Sequence, residues 1–151
     1  MPESLEVSAR TRVRATPERV WQAAMDWSRQ GEWIPATRVR GGTGVGAQVV
    51  ARTAIGPVGF TDTMIITEWD PPRRCVVRHT GKVVRGSGIF EVTRHGELTE
   101  FRWTEVVELP LPAALQRGPA LQATQFLGRW TVGPLARRSQ QYALARFARL
   151  V

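Results

Sequence analysis

Three ionisable side chains in this sequence could do chemistry on an otherwise apolar surface: His79, Glu105 and Asp62. Each lies in a stretch that reads as a β-strand, where alternate side chains point to opposite faces. Over 98–108, taking Trp103 as inward carries Phe101, Glu105 and Val107 with it and leaves Arg102, Thr104 and Glu108 facing water. Over 74–80, Arg78 suits solvent, which turns Cys75, Val77 and His79 inward. Phe90 and Val92 are likewise inward against Glu91 and Thr93. Over 58–69 the reading stays open: Phe60, Met64 and Ile66 look like the buried set but bring Asp62 and Glu68 with them, and a bulge would change the assignment. A lone buried carboxylate is costly, so these groups are partnered, wetted at a mouth, or there for a ligand. A Glu105–His79 pair would serve structure or acid–base chemistry, and these two are the first candidates for a catalytic role; no complete catalytic set is recognisable.

The elements that must position these groups follow from periodicity. Residues 5–14 alternate Leu5, Val7, Ala9, Thr11 and Val13 against polar neighbours, the period of a strand with one wet face. Thr16 offers a hydroxyl cap, Pro17 suits the first helical position and Glu18 the positive helix end, so a helix starts near 17. Ser28 can cap a second short helix that stops before Pro35. Strands follow at 37–41, 47–55, 58–69, 74–80, 83–94 and 98–108, joined by short Gly-, Pro- and Asp-rich turns that imply an antiparallel meander. Past Pro110 and Pro112 the chain reads as helical from 115 to 130, with breaks at Gly118-Pro119 and Gly128. Gly133-Pro134 opens the last helix, in which Ala136, Ala143, Phe147 and Leu150 form one apolar stripe. The expected fold is α+β: a seven-stranded curved antiparallel sheet wrapped around a long C-terminal helix, with two short helices between the first two strands. A curved sheet gripping a helix leaves a cavity between them.

Several runs resemble a known family. Pro17-Glu18-Arg19-Val20-Trp21 continuing to Asp26, Trp33 and Pro35 resembles the opening of the START-like (SRPBCC) superfamily, whose helix-grip fold is shared by the birch-pollen allergens and bacterial polyketide cyclase/dehydrase-like proteins. Glu68-Trp69-Asp70-Pro71-Pro72-Arg73-Arg74 is similar to that group's signature turn, Gly88-Ile89-Phe90-Glu91-Val92 to its sixth strand, and Thr99-Glu100-Phe101-Arg102-Trp103 to its seventh. The resemblance runs from about residue 5 to 150 and implies one START-like domain over 1–151. It implies binding of a hydrophobic small molecule such as a lipid, quinone or polyketide; only some members of the group are enzymes.

Composition narrows the rest. A chain of 151 residues can bury a core unaided, and one cysteine, Cys75, allows no internal disulfide. No run reaches a membrane-spanning length, and Met1-Pro2-Glu3-Ser4-Leu5-Glu6 lacks the basic start and apolar stretch of a signal peptide, so the cytoplasm is the expected location. Twenty-one basic against 13 acidic residues give +8, with Lys82 the one lysine. That balance attracts phosphates, nucleic acid or anionic lipid, although no block of like charge occurs. Arg10, Arg12 and Arg14 on one strand face and Arg38 and Arg40 on the next could form a basic stripe, but no aromatics interleave there, so a salt-bridged surface is expected and no DNA partner.

Gly42-Thr43-Gly44-Val45-Gly46-Ala47 fits a dinucleotide fingerprint formally, but strand rather than helix should follow, so it reads as a turn or cavity lid. Arg85 and Ile89 stand where a nucleophile elbow around Ser87 needs glycines. Cys75 and His79 lie about 13 Å apart along one strand face, too far to share a zinc. Neither metal nor cofactor is expected. Of six tryptophans, Trp33 and Trp130 are the candidates for lining a cavity mouth.

The expected function is therefore binding of a small hydrophobic molecule, shaped by Trp33, Met64, Phe90, Trp103 and Trp130 and hydrogen-bonded by His79 and Glu105, with Asp62 a further candidate. One alternative is a polyketide aromatase/cyclase using His79 and Glu105. Another is a lipid or quinone chaperone whose arginines dock on anionic membrane or RNA. Monomer and homodimer are both consistent with the sequence.

Overall fold

The computed structural model describes residues 3–82, 84–109 and 133–151. The alternation of the N-terminal segment produces strand β1 (Glu3–Val13), whose Val7, Ala9 and Val13 are buried. Helix α1 (Pro17–Met25) follows; the Thr16 hydroxyl accepts the Arg19 N–H at 3.2 Å, and Val20, Trp21, Ala24 and Met25 form its buried face. A 3₁₀ helix (Trp27–Glu32) comes next. Asp26, not Ser28, stands at its start; Ser28 lies inside the turn and donates its hydroxyl to Asp26 at 2.6 Å. The hydroxyl is drawn to the stronger, charged acceptor two residues back and caps nothing.

Six strands complete the sheet: β2 (Thr37–Gly41), β3 (Gln48–Ile55), β4 (Val58–Asp70), β5 (Arg74–His79), β6 (Gly86–His95) and β7 (Leu98–Leu109). Their order is β1-β7-β6-β5-β4-β3-β2, every neighbour antiparallel, as short turns require. The curled sheet holds the C-terminal helix α2 (Gly133–Leu150), which opens at the expected Gly133-Pro134. The architecture is the α+β helix-grip arrangement. Helix α2 buries Gln140, Ala143, Leu144 and Phe147, packs chiefly on β1, and leaves Leu150 half exposed, which removes Leu150 from the expected stripe. Leu150 lies on the rim of an open groove shared with Arg19, Ala23 and Val151, where the partners are largely polar stems and not sheet.

The pins between helix and sheet are aromatic. Trp33 packs edge-on against Phe101, Trp103 and Phe147, with centroids 5.9, 5.9 and 5.2 Å away, and Phe90 stacks on both Phe101 and Trp103. Trp33 is only 2% exposed and is part of this core, and it also lines the floor of the groove that Leu150 rims. The chain turns Trp33 inward as it leaves the 3₁₀ helix, its N–H still bonded to the Gln30 carbonyl.

On the convex face the carboxylate of Glu100 is nearly buried among guanidinium groups, Arg10 at 3.3 Å, Arg12 at 3.4 Å and Arg102 at 3.7 Å, with the His95 ring Nε2 3.9 Å away. Arg14 pairs with Glu97. Arg10, Arg12 and Arg14 are thus salt-bridged as expected, whereas Arg38 and Arg40 of β2, which the same expectation covered, have no carboxylate within ion-pairing distance among the described residues. Thr104, assigned to water by parity, does point to this face but is buried, bonded at 3.0 Å to Ser8 across the β1–β7 pair. Cross-strand hydroxyl pairing makes that position dry without turning it inward.

Candidate functional site

The regular pairing of β5, β6 and β7 carries His79 and Glu105 to the concave face. In register, Ile66, Val77, Gly88, Glu105 and Val7 form one row across the sheet and Met64, His79, Gly86 and Val107 the next. Glu105 reaches sideways from its row to His79: its Oε2 lies 3.1 Å from Nε2, while its Oε1 accepts the Trp103 indole N–H at 2.7 Å. Gly88 makes that reach possible. A Cβ there would stand 3.0 Å from Glu105 Oε1 and 3.0 Å from a Val77 methyl, so any larger residue would press on the carboxylate where it crosses β6.

The second ring nitrogen of His79 faces Asp62, with Nδ1 2.9 Å from both carboxylate oxygens. Asp62 comes from β4, whose register answers the question its sequence left open. A shift between Ile66 and Glu68 marks a bulge at Thr67. Before the bulge Asp62, Met64 and Ile66 face inward; after it the parity reverses, so Trp69 packs against Trp21 and Glu68 turns out to pair with Arg74 at 3.1 Å. Phe60 shares the inward parity but is 38% exposed, because β4 there runs past the end of β5.

Trp103, Glu105, His79 and Asp62 therefore form one hydrogen-bonded chain. Ionised carboxylates accept only, so both ring nitrogens of His79 must be N–H and the ring is an imidazolium. Burial alone would lower its pKa, but the hydrogen bonds to Asp62 and Glu105, with their charges, outweigh it and push the pKa from 6.5 up to about 9. The array carries two negative charges and one positive. His79 is 4% exposed at its side chain, against 13% for Asp62 and 21% for Glu105. The two carboxylate side chains are thus the more exposed members of the array.

Of the expected site residues, His79, Glu105, Asp62 and Trp103 are brought together, with Met64 next to His79 in the register and Phe90 beneath Trp103. Met64 and Phe90 are buried, Trp33 lies behind Trp103 in the core, and Trp130 falls outside the described residues. The 42–47 segment is not a free lid: the Gly46 N–H donates to the Ile66 carbonyl and the Ile66 N–H to that of Ala47, and strand β3 follows. Cys75 is fully buried, and burial, reinforced by Glu68, pushes its thiol up to about 12, so it stays protonated and inert. Among the described residues no group of three or more His, Cys, Asp or Glu side chains could hold a metal ion, and no helix is long and apolar enough to cross a membrane.

A curled antiparallel sheet clasping a C-terminal helix, with a polar array on its concave face, is the START-like helix-grip fold. The family model described as polyketide cyclase / dehydrase and lipid transport matches residues 4–151, and the chain belongs to that family. Among solved structures it is similar to TTHA0849 from Thermus thermophilus, at 21% identity over 96% of this chain and 95% of that one, with a TM-score of 0.71. It is similar also to the ZhuI aromatase/cyclase from Streptomyces sp. R1128, at 18% identity over 98% and 93% of the two chains, TM-score 0.71. The di-domain aromatase/cyclase StfQ of the steffimycin biosynthetic pathway aligns at 16% identity over 97% of this chain and 51% of its own, TM-score 0.66. No curated protein matches the sequence.

Proposed function

We propose that the protein, acting as one domain in the cytoplasm, encloses a small, largely apolar molecule between sheet and helix. The ligand is held by hydroxyl or enol groups that donate to Asp62 and Glu105. The observation that carries this reading is the clamped imidazolium. With both nitrogens of His79 occupied and its charge in place, the carboxylate oxygens of Asp62 and Glu105 keep lone pairs free to accept from a ligand on the concave face. Met64, Phe90 and Trp103 supply apolar wall beside them. A buried acceptor left unpaired is costly, so the array should reject ligands that lack the donor.

Native mass spectrometry of the purified protein, then solvent extraction, will show what it carries. A hydroxylated aromatic compound is expected to bind at least about tenfold more tightly than its O-methyl ether, and the preference should shrink in Asp62→Asn and Glu105→Gln, which keep the shape but remove the charge. Equal affinity of the two compounds for the unmodified protein would overturn the reading.

An aromatase/cyclase is the second reading, favoured by the ionised carboxylates flanking a stored proton. A carboxylate would take an α-proton, the enolate carbon would close a ring by attacking a carbonyl, the alkoxide would take that proton back, and loss of a second α-proton to the carboxylate would expel the protonated hydroxyl as water and leave a C=C bond. Turnover of a poly-β-ketone thioester that vanishes in both carboxylate variants would establish it.

A further inference from the structure

The end of the β3–β4 hairpin projects beyond the rest of the sheet and is built of two unlike faces. Ile55 and Val58 are directly paired, joined by Gly56-Pro57, and are 77% and 74% exposed; Phe60, on the same face, is 38% exposed. On the opposite face Arg38 of β2 stands directly across from Arg52 of β3, and Arg40 lies two residues along. Arginine opposite arginine is a destabilising pair, and among the described residues none of the three has a carboxylate within ion-pairing distance, unlike Arg10, Arg12 and Arg14. Arg52 has only the Thr61 hydroxyl, at 3.3 Å. The hairpin end thus carries cations without carboxylate partners on one face and three exposed apolar side chains clustered on the other.

We propose that this hairpin end is a docking element for an anionic phospholipid bilayer, the tip entering the headgroup–acyl boundary and the arginines binding lipid phosphates. The dimensions fit. Arg52 lies three residues from Ile55, about 10 Å along the strand, which matches arginines at headgroup level when a tip enters by roughly 5–10 Å. Three apolar side chains on a projecting turn are far too little for a stable protein interface of about 800 Å² per partner, whereas a bilayer sets no such minimum. Addition of a second copy along the β2 edge would bring arginines against arginines. Single-stranded nucleic acid needs aromatics on the basic face, and the one aromatic here, Phe60, is on the other. The proposal stands apart from the ligand reading: Ile55 and Val58 sit at the hairpin tip, Val58 four residues along β4 from Asp62, and Arg38 and Arg52 lie on the opposite face of the sheet from Asp62, so cavity uptake should be unaffected by substitutions at these four positions.

The test is co-sedimentation with phosphatidylcholine vesicles with and without phosphatidylglycerol. Binding is expected only to the anionic vesicles and should weaken as salt rises. Ile55→Asp/Val58→Asp and Arg38→Glu/Arg52→Glu should each weaken it about tenfold or more while leaving the melting curve unchanged, because all four side chains are exposed. The absence of binding to anionic vesicles at low salt, or full binding by the tip variant, would overturn the proposal. A concentration-dependent dimer in sedimentation velocity that the tip variant abolishes would overturn it in favour of a second copy.

Discussion

His79→Leu is expected to destabilise the protein by about 3 kcal/mol near neutral pH, lowering the melting temperature by about 10 °C, and to change how stability responds to pH. The imidazole is the cation between two carboxylates that are themselves largely withdrawn from water, so its removal leaves like charges facing each other across a dry gap. The sign follows from the pKa. A histidine raised from 6.5 to about 9 by folding contributes stability that is fully present below 6.5 and lost as pH climbs through about 9. That interval corresponds to roughly 3 kcal/mol. The unmodified protein should therefore weaken between about pH 7 and about pH 9, while His79→Leu should show no such decline and should instead gain stability on acidification, as one of the crowded carboxylates takes up a proton. Urea titrations of both proteins across that range decide it. Parallel pH profiles would mean that His79 is not the charged centre of the array.

How much of this was legible in the sequence depends on regularity. Strands β5 to β7 pair without a slip, so the parity of Arg78 and Trp103 was enough to turn His79 and Glu105 to one face, and their contact followed from the register. The bulge at Thr67 has no signature in residue type, and it alone decides that Asp62 points inward while Glu68, six residues on, points out. That one carboxylate on each side clamps the same imidazole could not be read from spacing, because Asp62 and Glu105 lie on β4 and β7, either side of β5 and β6, and meet only through the curl of the sheet. Glu100 gave no signal of burial either: it alternates like a solvent-facing residue and is dry only because arginines from β1 and β7 close over it. The helix-grip arrangement was legible because turn residues, helix starts and strand lengths all pointed one way.

Gly86→Ala should be the most damaging Gly→Ala change among the described residues, costing about 4 kcal/mol or more. Gly86 opens β6 at φ +117°, a region L side chains rarely adopt, and its missing Cβ would run into the Val106 carbonyl, with the Glu108 N–H 3.2 Å away. The backbone cannot yield cheaply there. Gly86 is paired with both His79 and Val107, and the next contact, Glu108 N–H to the Arg85 carbonyl at 2.9 Å, holds the two strands together at the same point. Moving β6 away from β7 would draw His79 away from Glu105, so the variant should also lose most of the upward displacement of the histidine pKa, measurable by NMR titration of the ring protons. Gly96→Ala is the control: it too has positive φ, +60°, but a Cβ there meets nothing within 4 Å, so it should cost only about 1 kcal/mol and leave the His79 titration in place. Equal losses in the two variants would show that torsional preference, and not the close approach of β6 to β7, sets the glycine at 86, and the coupling of that strand pair to the His79 array would fall with it.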